Sequence, residues 1–337
     1  MLISACASAP RPRAIAVPGT IALTDATLDP QTRAALKPFN EAARHRWQLS
    51  PAERRRVHDQ TFIPLGLPAV DRVDVEERFI SGPETPLRVR IYRPRGAPGL
   101  KPIMVYYHGG GMSVGSLEQY DSLVQRLSER SGVVIVSVDY RLAPENKFPK
   151  PVDDAYASVL WTYQNAKSLG GDPARFAVGG DSAGGNLTAV VTQLARDQGG
   201  PPIRFQLLLY PAVGTRGNNA SMDLFAKGYL FEKDHLTAIY GEYLSHPAQI
   251  EDPRVSPIKG DLSRLPPAWV LSAEYEIMRD DIEDYAAGLR AAGVPVVLRR
   301  YGGTIHPFLS MAGAIDLGRQ AIDDAADALR AGLSSPR

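Results

Sequence analysis

Gly180-Asp181-Ser182-Ala183-Gly184 puts a serine between two glycines, at the point where an apolar run gives way to a helical pattern. Upstream, Phe176-Ala177-Val178 leads into Gly179-Gly180. Downstream, Leu187, Val190, Val191 and Leu194 recur at the i, i+3, i+4, i+7 spacing of a buried helical face, which Gly199-Gly200 ends. The pattern predicts a strand that turns directly into a helix. So tight a turn drives its middle residue into a strained backbone conformation and tolerates only small flanking residues. The Ser182 hydroxyl then stands exposed at the carboxyl edge of the strand. The same stretch also fits a glycine-rich surface turn with an incidental serine, and the rest of the chain decides between the two.

Continuous apolar runs at 103–107, 133–138, 176–178, 205–209, 269–272 and 294–301 predict strands covered on both faces, and the helical segments between them supply the covers. Residues 72–80 and 87–92 alternate apolar with polar across Ser81-Gly82-Pro83-Glu84-Thr85-Pro86, which predicts a hairpin. The expected fold is a mostly parallel, doubly wound α/β sheet. Residues 1–26 are rich in Ala and Pro without periodicity and read as a mobile extension. Helices are expected at 31–40 and at 51–58, the second with Ser50 as N-cap and Pro51 in its first turn. They make 27–65 an addition in front of a core at 66–337. An irregular stretch at 211–266 interrupts the alternation of strands and helices, and insertions of that length commonly form lids or binding loops.

The chain has 337 residues, 44% of them hydrophobic and 22% charged, with a formal net charge of +1, as in an ordinary globular domain. The charge balance offers no reason to expect nucleic acid or a membrane surface as a partner. A single cysteine, Cys6, excludes an internal disulfide and a cysteine zinc cage. No run approaches the ~18 apolar residues of a membrane span. Ile3-Ser4-Ala5-Cys6 is similar to the end of a lipoprotein signal, but it lacks the basic start and apolar run of one, so a cytoplasmic location is expected unless the true start lies upstream.

His108-Gly109-Gly110-Gly111 directly follows the apolar run at 103–107. Successive glycines there let backbone N–H groups face a bound oxygen, and acyl transfer needs such donors for its oxyanion. Gly109, Gly110 and Ala183 are the expected donors. A phosphate-binding loop is the alternative, but the G-x-G-x-x-G spacing and the Lys-Ser/Thr pair are both missing. Ser182 needs a base, because a hydroxyl is a poor nucleophile at neutral pH. His45 and His58 lie in the amino-terminal helices, His235 and His246 in the insertion, and His108 heads the glycine loop. His306 follows the last strong strand in Gly302-Gly303-Thr304-Ile305-His306, on the sheet edge where ligand sites collect. A carboxylate should orient the imidazole. The candidates lie in Ala273-Glu274-Tyr275-Glu276-Ile277-Met278-Arg279-Asp280-Asp281. Of these, Asp281 opens a helix as a first-turn acid and Glu276 sits in the turn. The order Ser, acid, His agrees with the α/β-hydrolase arrangement.

Together these residues resemble the bacterial members of the hormone-sensitive lipase family of esterases. The resemblance rests on H-G-G-G at 108–111, V-S-V-D-Y-R-L-A-P-E at 136–145, G-D-S-A-G-G-N at 180–186, L-P-P-A at 265–268 and Arg300-Tyr301 leading to His306, and it spans 27–335. It implies a carboxylesterase with an eight-stranded α/β-hydrolase core and a helical cap built from the amino-terminal helices and the 211–266 insertion. It also implies short acyl chains in a small-molecule ester substrate, no metal or cofactor, and dimers formed through an edge strand. The chain departs from the family in two positions. Glu276 stands where Asp is usual, which adds about 1.5 Å of reach, and Pro307 follows His306 where Gly is usual. Glu276 is the expected acid and Asp280, matching the family's second Asp, is its rival. An amidase or deacetylase would use the same triad, while a non-catalytic receptor on this fold would typically lack the histidine. Activity is expected to fall as pH drops through the imidazole range, about 6.5 in model peptides.

Overall fold

The apolar and alternating runs become β1 (Val73–Ile80), β2 (Leu87–Pro94), β3 (Lys101–Tyr107), β4 (Val134–Val138), β5 (Gly171–Asp181), β6 (Phe205–Leu209), β7 (Ala268–Tyr275) and β8 (Val296–Ile305). The structure, a computed structural model, describes residues 27–43, 46–96, 98–214 and 219–334. The extension at 1–26 and His45 therefore lie outside the described residues. One eight-stranded sheet runs in the order β1-β2-β4-β3-β5-β6-β7-β8. The β1–β2 and β2–β4 pairs are antiparallel and every later neighbour is parallel.

The helices are α1 (Pro30–Ala43), α2 (Pro51–Phe62), α3 (Leu117–Ser131), α4 (Lys150–Asn165), α5 (Ala183–Asp197), α6 (Ala220–Leu224), α7 (Lys233–Tyr243), α8 (Arg279–Ala291) and α9 (Asp316–Ser334). Strand alternation divides the core. Ile103, Val105, Val134, Val136 and Val178 join the apolar cluster that contains Val152 and Val159 of α4 and Leu187 and Val190 of α5. Their neighbours Met104, Tyr106, Ile135 and Ala177 join the cluster of Leu123 and Leu127 of α3 and Ile322 and Leu329 of α9. Each of the Val, Leu, Ile and Met side chains among these contributes about 1.5–3 kcal/mol on burial, and a one-residue slip would exchange the two faces.

Among the elements that run longer than their sequence pattern, two bear on the site. β5 continues through Gly179 and Gly180, which pair with Tyr106 and Tyr107 of β3 and with Leu207 and Leu208 of β6. The glycines mark a close approach of neighbouring backbone there and do not end the strand. α2 extends to Phe62, whose side chain is buried. Its start follows the expected capping box: the Glu53 N–H donates to Ser50 Oγ, and the Ser50 N–H donates to the Glu53 carboxylate.

α2 is fastened to the sheet edge through the D-Y-R-L-A-P-E segment. Arg55 donates to the carbonyls of Ser113 and Ala143 and pairs with Glu145. Next to it, buried Arg54 pairs with Glu242 of α7 at 2.5 Å, which joins the amino-terminal helices to the 211–266 insertion. Among the described residues no helix is long and apolar enough to cross a membrane.

Candidate active site

β5 ends at Asp181 and α5 begins at Ala183, so Ser182 alone makes the turn, at φ 53° and ψ −116°. An L residue in so sparsely populated a region costs about 1–3 kcal/mol, and the surroundings have to hold it there. The Ser182 N–H donates to the Leu209 carbonyl at 2.9 Å, and its own carbonyl accepts from Asn186 at 2.9 Å and Ala212 at 3.0 Å. A Cβ at position 184 would lie 1.9 Å from the Tyr107 carbonyl oxygen, and one at 180 would lie 2.4 Å from the Gly184 carbonyl oxygen. Glycine is required on both sides of the turn. Asn186, three residues into α5, donates its amide to the carbonyls of Ala212 and Val255 and ties two points of the insertion to the helix.

His306 directly follows β8. Its Nε2 lies 2.9 Å from Ser182 Oγ and its Nδ1 lies 2.8 Å from Glu276 Oε2. Glu276 sits in the turn between β7 and α8, and its Oε1 also accepts from the Ala273 N–H at 3.3 Å. All three side chains are buried, Glu276 to 1% exposure. Burial pushes the Glu276 carboxyl up, and the hydrogen bond and charge of His306 oppose that push. Asp280 is elsewhere. In the first turn of α8 it accepts from the Ser221 N–H at 2.8 Å and from Arg279 Nε at 2.9 Å. The added methylene of Glu276 reaches the imidazole from the turn, while Asp280 joins α8 to α6.

Of the glycines in the loop after β3, Gly109 requires a correction. Its N–H, expected to serve an oxyanion, donates at 2.8 Å to Asp181 Oδ1 and is thereby committed. Gly110 and Gly111, both at positive φ, border the cleft instead. His108 is buried against Tyr140, with ring centroids 4.5 Å apart, and its Nδ1–H donates to the Gly109 carbonyl. It serves the loop and does not face Ser182. Tyr140 in turn donates its hydroxyl to the His108 carbonyl at 2.7 Å. His58 lines the cleft from α2, while buried His235 accepts from the Glu232 N–H at the start of α7. His246 precedes a short turn in the insertion.

Asp181 is the residue that the sequence reading passed over. It is fully buried and accepts from the hydroxyls of Tyr106 at 2.9 Å and Tyr120 at 3.0 Å as well as from Gly109. Burial pushes its carboxyl up to about 6, against the pull of the two tyrosine hydroxyls, His306 and the Gly109 amide. Its signal was an acidic side chain beside the turn in a segment otherwise built of small residues.

A cleft of about 930 Å³, counted out to its open mouth, reaches Ser182 and His306, with Glu276 buried behind them. Gly110, Gly111, Ser182 and His306 form its floor. Arg54, Val57, His58 and Thr61 of α2 face them together with Phe231 and Ile239 of the insertion. Among the described residues no group of three or more His, Cys, Asp or Glu could hold a metal ion.

Residues 104–310 match the model of an α/β hydrolase fold family. The chain is 42% identical over 269 residues to the carboxylic ester hydrolase LipN of Mycobacterium tuberculosis, an alignment covering 78% of this chain and 71% of that protein. It is 39% identical over 265 residues to the carboxylesterase NlhH of the same species, covering 77% and 83%. Among solved structures, a hyperthermophilic esterase from the archaeon Pyrobaculum calidifontis superposes with a TM-score of 0.86 at 39% identity, covering 90% of this chain and 98% of that one. On its sheet topology, its strand-turn-helix serine and these similarities, the chain belongs to the hormone-sensitive-lipase-like family of α/β hydrolases.

Proposed function

We propose that this chain hydrolyses carboxylic esters through an acyl-serine intermediate, with Ser182 as nucleophile, His306 as base and Glu276 as the carboxylate that orients the imidazole. The observation that carries the reading is the continuous line from Ser182 Oγ through both nitrogens of His306 to Glu276, with links of 2.9 and 2.8 Å. The names of the mycobacterial and archaeal relatives support an ester as the substrate.

His306 Nε2 takes the Ser182 proton as Oγ bonds to the substrate carbonyl carbon, and the carbonyl π electrons move onto oxygen. The amides of Gly110, Gly111 and Ala183 receive that oxyanion, so the donor set is displaced by one glycine from the sequence expectation. Collapse re-forms the carbonyl and breaks the bond to the alkoxy oxygen, which leaves with the proton from His306. Water repeats the sequence, giving its proton to His306, and the Ser182 Oγ leaves with that proton as the acid is released. Residues 27–65 and 211–266 act as a cap over the reacting atoms. Hydrolysis of p-nitrophenyl esters from acetate to palmitate tests the reading. A pre-steady-state burst followed by steady turnover on the short esters is expected, and no turnover with any member would remove it.

Asp181 acts as a positioning residue. Its carboxylate fixes the Gly109 amide and so aims the two amides that follow. Asp181→Asn is expected to lower kcat by about 10–10²-fold with KM nearly unchanged, because the oxyanion exists only beyond the ground state. Protonation weakens the carboxylate as an acceptor, so turnover should fall as pH drops through about 6, where this carboxyl titrates. A kcat against pH profile should lose that component in Asp181→Asn. An unchanged profile, or a loss confined to KM, would exclude the role.

A further inference from the structure

A narrow cavity lies behind the wall of the cleft, between α3 and the short helical turn Phe308–Met311. Gln119 and Tyr120 of α3 border both spaces and separate them. The cavity is also bordered by Gly66, Leu67 and Ser122, which are only half-buried. One end of it therefore approaches solvent and the other the back of the cleft.

Two polar atoms of its lining are left without a bond. Gln119 and Ser310 are 7% and 9% exposed, and neither Gln119 Oε1 nor Ser310 Oγ has a hydrogen-bond partner among the described residues. Burial is costly for such atoms, and an ordered water commonly satisfies them. The cavity has room for about one water molecule. Gln119 Oε1 would accept a proton from that water, and the Ser310 hydroxyl would donate to its oxygen. Ser310 also stands beside the Tyr120 phenol: burial pushes that phenol up, and the Ser310 hydroxyl opposes the push. Tyr120 in turn donates to Asp181 Oδ2 at 3.0 Å. Ser310 follows His306 by four residues, and its N–H donates to the Pro307 carbonyl at 3.0 Å, so the segment that carries the base also carries the cavity wall.

The acyl-transfer reading, on which this inference rests, consumes one water per turnover and needs it only after the alcohol has left. We propose that the cavity behind Tyr120 binds this water on Ser310 Oγ and Gln119 Oε1 and delivers it between Gln119 and Tyr120 to His306. Ser310 and Gln119 are thus positioning residues for deacylation. At His306 the water gives a proton to Nε2 as its oxygen bonds to the acyl carbon. The carbonyl then re-forms, the bond to Ser182 Oγ breaks, and Oγ leaves with that proton. An added alcohol too large for the cavity reaches the same acyl-enzyme only through the mouth of the cleft, so the two acceptors arrive by different routes.

The test is the ratio of butyl acetate to acetic acid formed from p-nitrophenyl acetate in the presence of 1-butanol, read by gas chromatography at initial rates after subtraction of uncatalysed hydrolysis. Both products come from one acyl-enzyme, so the ratio does not depend on the acylation rate or on the folded fraction. A disturbance of the oxyanion donors that slows both acceptors alike leaves it unmoved. Ser310→Val, which removes the hydroxyl and fills the space, should raise the ratio about tenfold, and Ser310→Ala, which removes only the hydroxyl, about threefold. A ratio within about twofold of wild type in Ser310→Val, or in Ser310→Ala should the valine variant not fold, would overturn the route while ester hydrolysis stands. So would a high-resolution crystal structure of the wild-type chain with no water bonded to both Ser310 Oγ and Gln119 Oε1. If the wild-type chain forms neither product, the acyl-transfer reading fails and the water route with it.

Discussion

Ser182→Ala is expected to lower kcat on p-nitrophenyl acetate by about 10⁵–10⁶-fold while leaving KM and the melting temperature nearly unchanged. The magnitude is that of removing the nucleophile from a serine hydrolase, where the remaining oxyanion donors and binding still leave about 10³–10⁴-fold over water. The fold should tolerate the change. Alanine inherits the same φ of 53° and the same backbone hydrogen bonds to Leu209, Asn186 and Ala212, none of which uses the hydroxyl. Comparing initial rates at saturating ester with melting curves separates the chemical effect from a folding effect. Mass spectrometry after incubation with a phosphonate ester supplies a second readout: the wild-type chain should gain one covalent adduct on the peptide containing Ser182, and the variant none. A variant that retains more than about a hundredth of the wild-type turnover would remove Ser182 as the nucleophile.

The middle of the sheet was legible because its strands β3, β4, β6 and β7 are buried on both faces. Runs such as Val134-Ile135-Val136 have no polar side to blur them, and each predicted run has a counterpart among the observed strands. His306 was legible from its position, since the residue after a parallel strand of such a sheet reaches the carboxyl edge, here at the end of the edge strand β8. The assignment of the glycine loop was less successful for a physical reason. A glycine has no side chain to indicate which way its N–H points, and the direction is set by a residue far along the chain, Asp181, which binds Gly109 and not its neighbours. The shape of the cleft was hidden for a related reason. Its walls include Gly111, Phe231 and Ile239, which only tertiary packing brings together. The insertion that supplies two of them shows neither clean strand nor clean helix periodicity in its sequence, which left 211–266 as the least readable region.

Glu276→Ala is expected to lower kcat by about 10⁴-fold, and Asp280→Ala to leave kcat within about tenfold of wild type at equal folded concentration. The first figure is the cost of an imidazole that has lost its orienting carboxylate. The second follows from where Asp280 is bonded. Removing it frees the Ser221 N–H and the Arg279 Nε–H, a loss of about 1–2 kcal/mol that appears in the melting temperature and not in turnover. Glu276→Asp is the sharper variant, because it keeps the charge and withdraws about 1.5 Å of reach from a 2.8 Å contact. A kcat between those of wild type and Glu276→Ala is expected. The turn of residues 276–278 is bounded by β7 and α8 and cannot close the gap without disturbing both. The decisive comparison is the double variant. If Glu276 acts only through the imidazole, its removal should cost almost nothing once His306→Ala has been made, whereas an independent contribution would multiply. A large further loss in the double variant, or a collapse of kcat in Asp280→Ala alone, would show that the carboxylate behind His306 has been wrongly assigned.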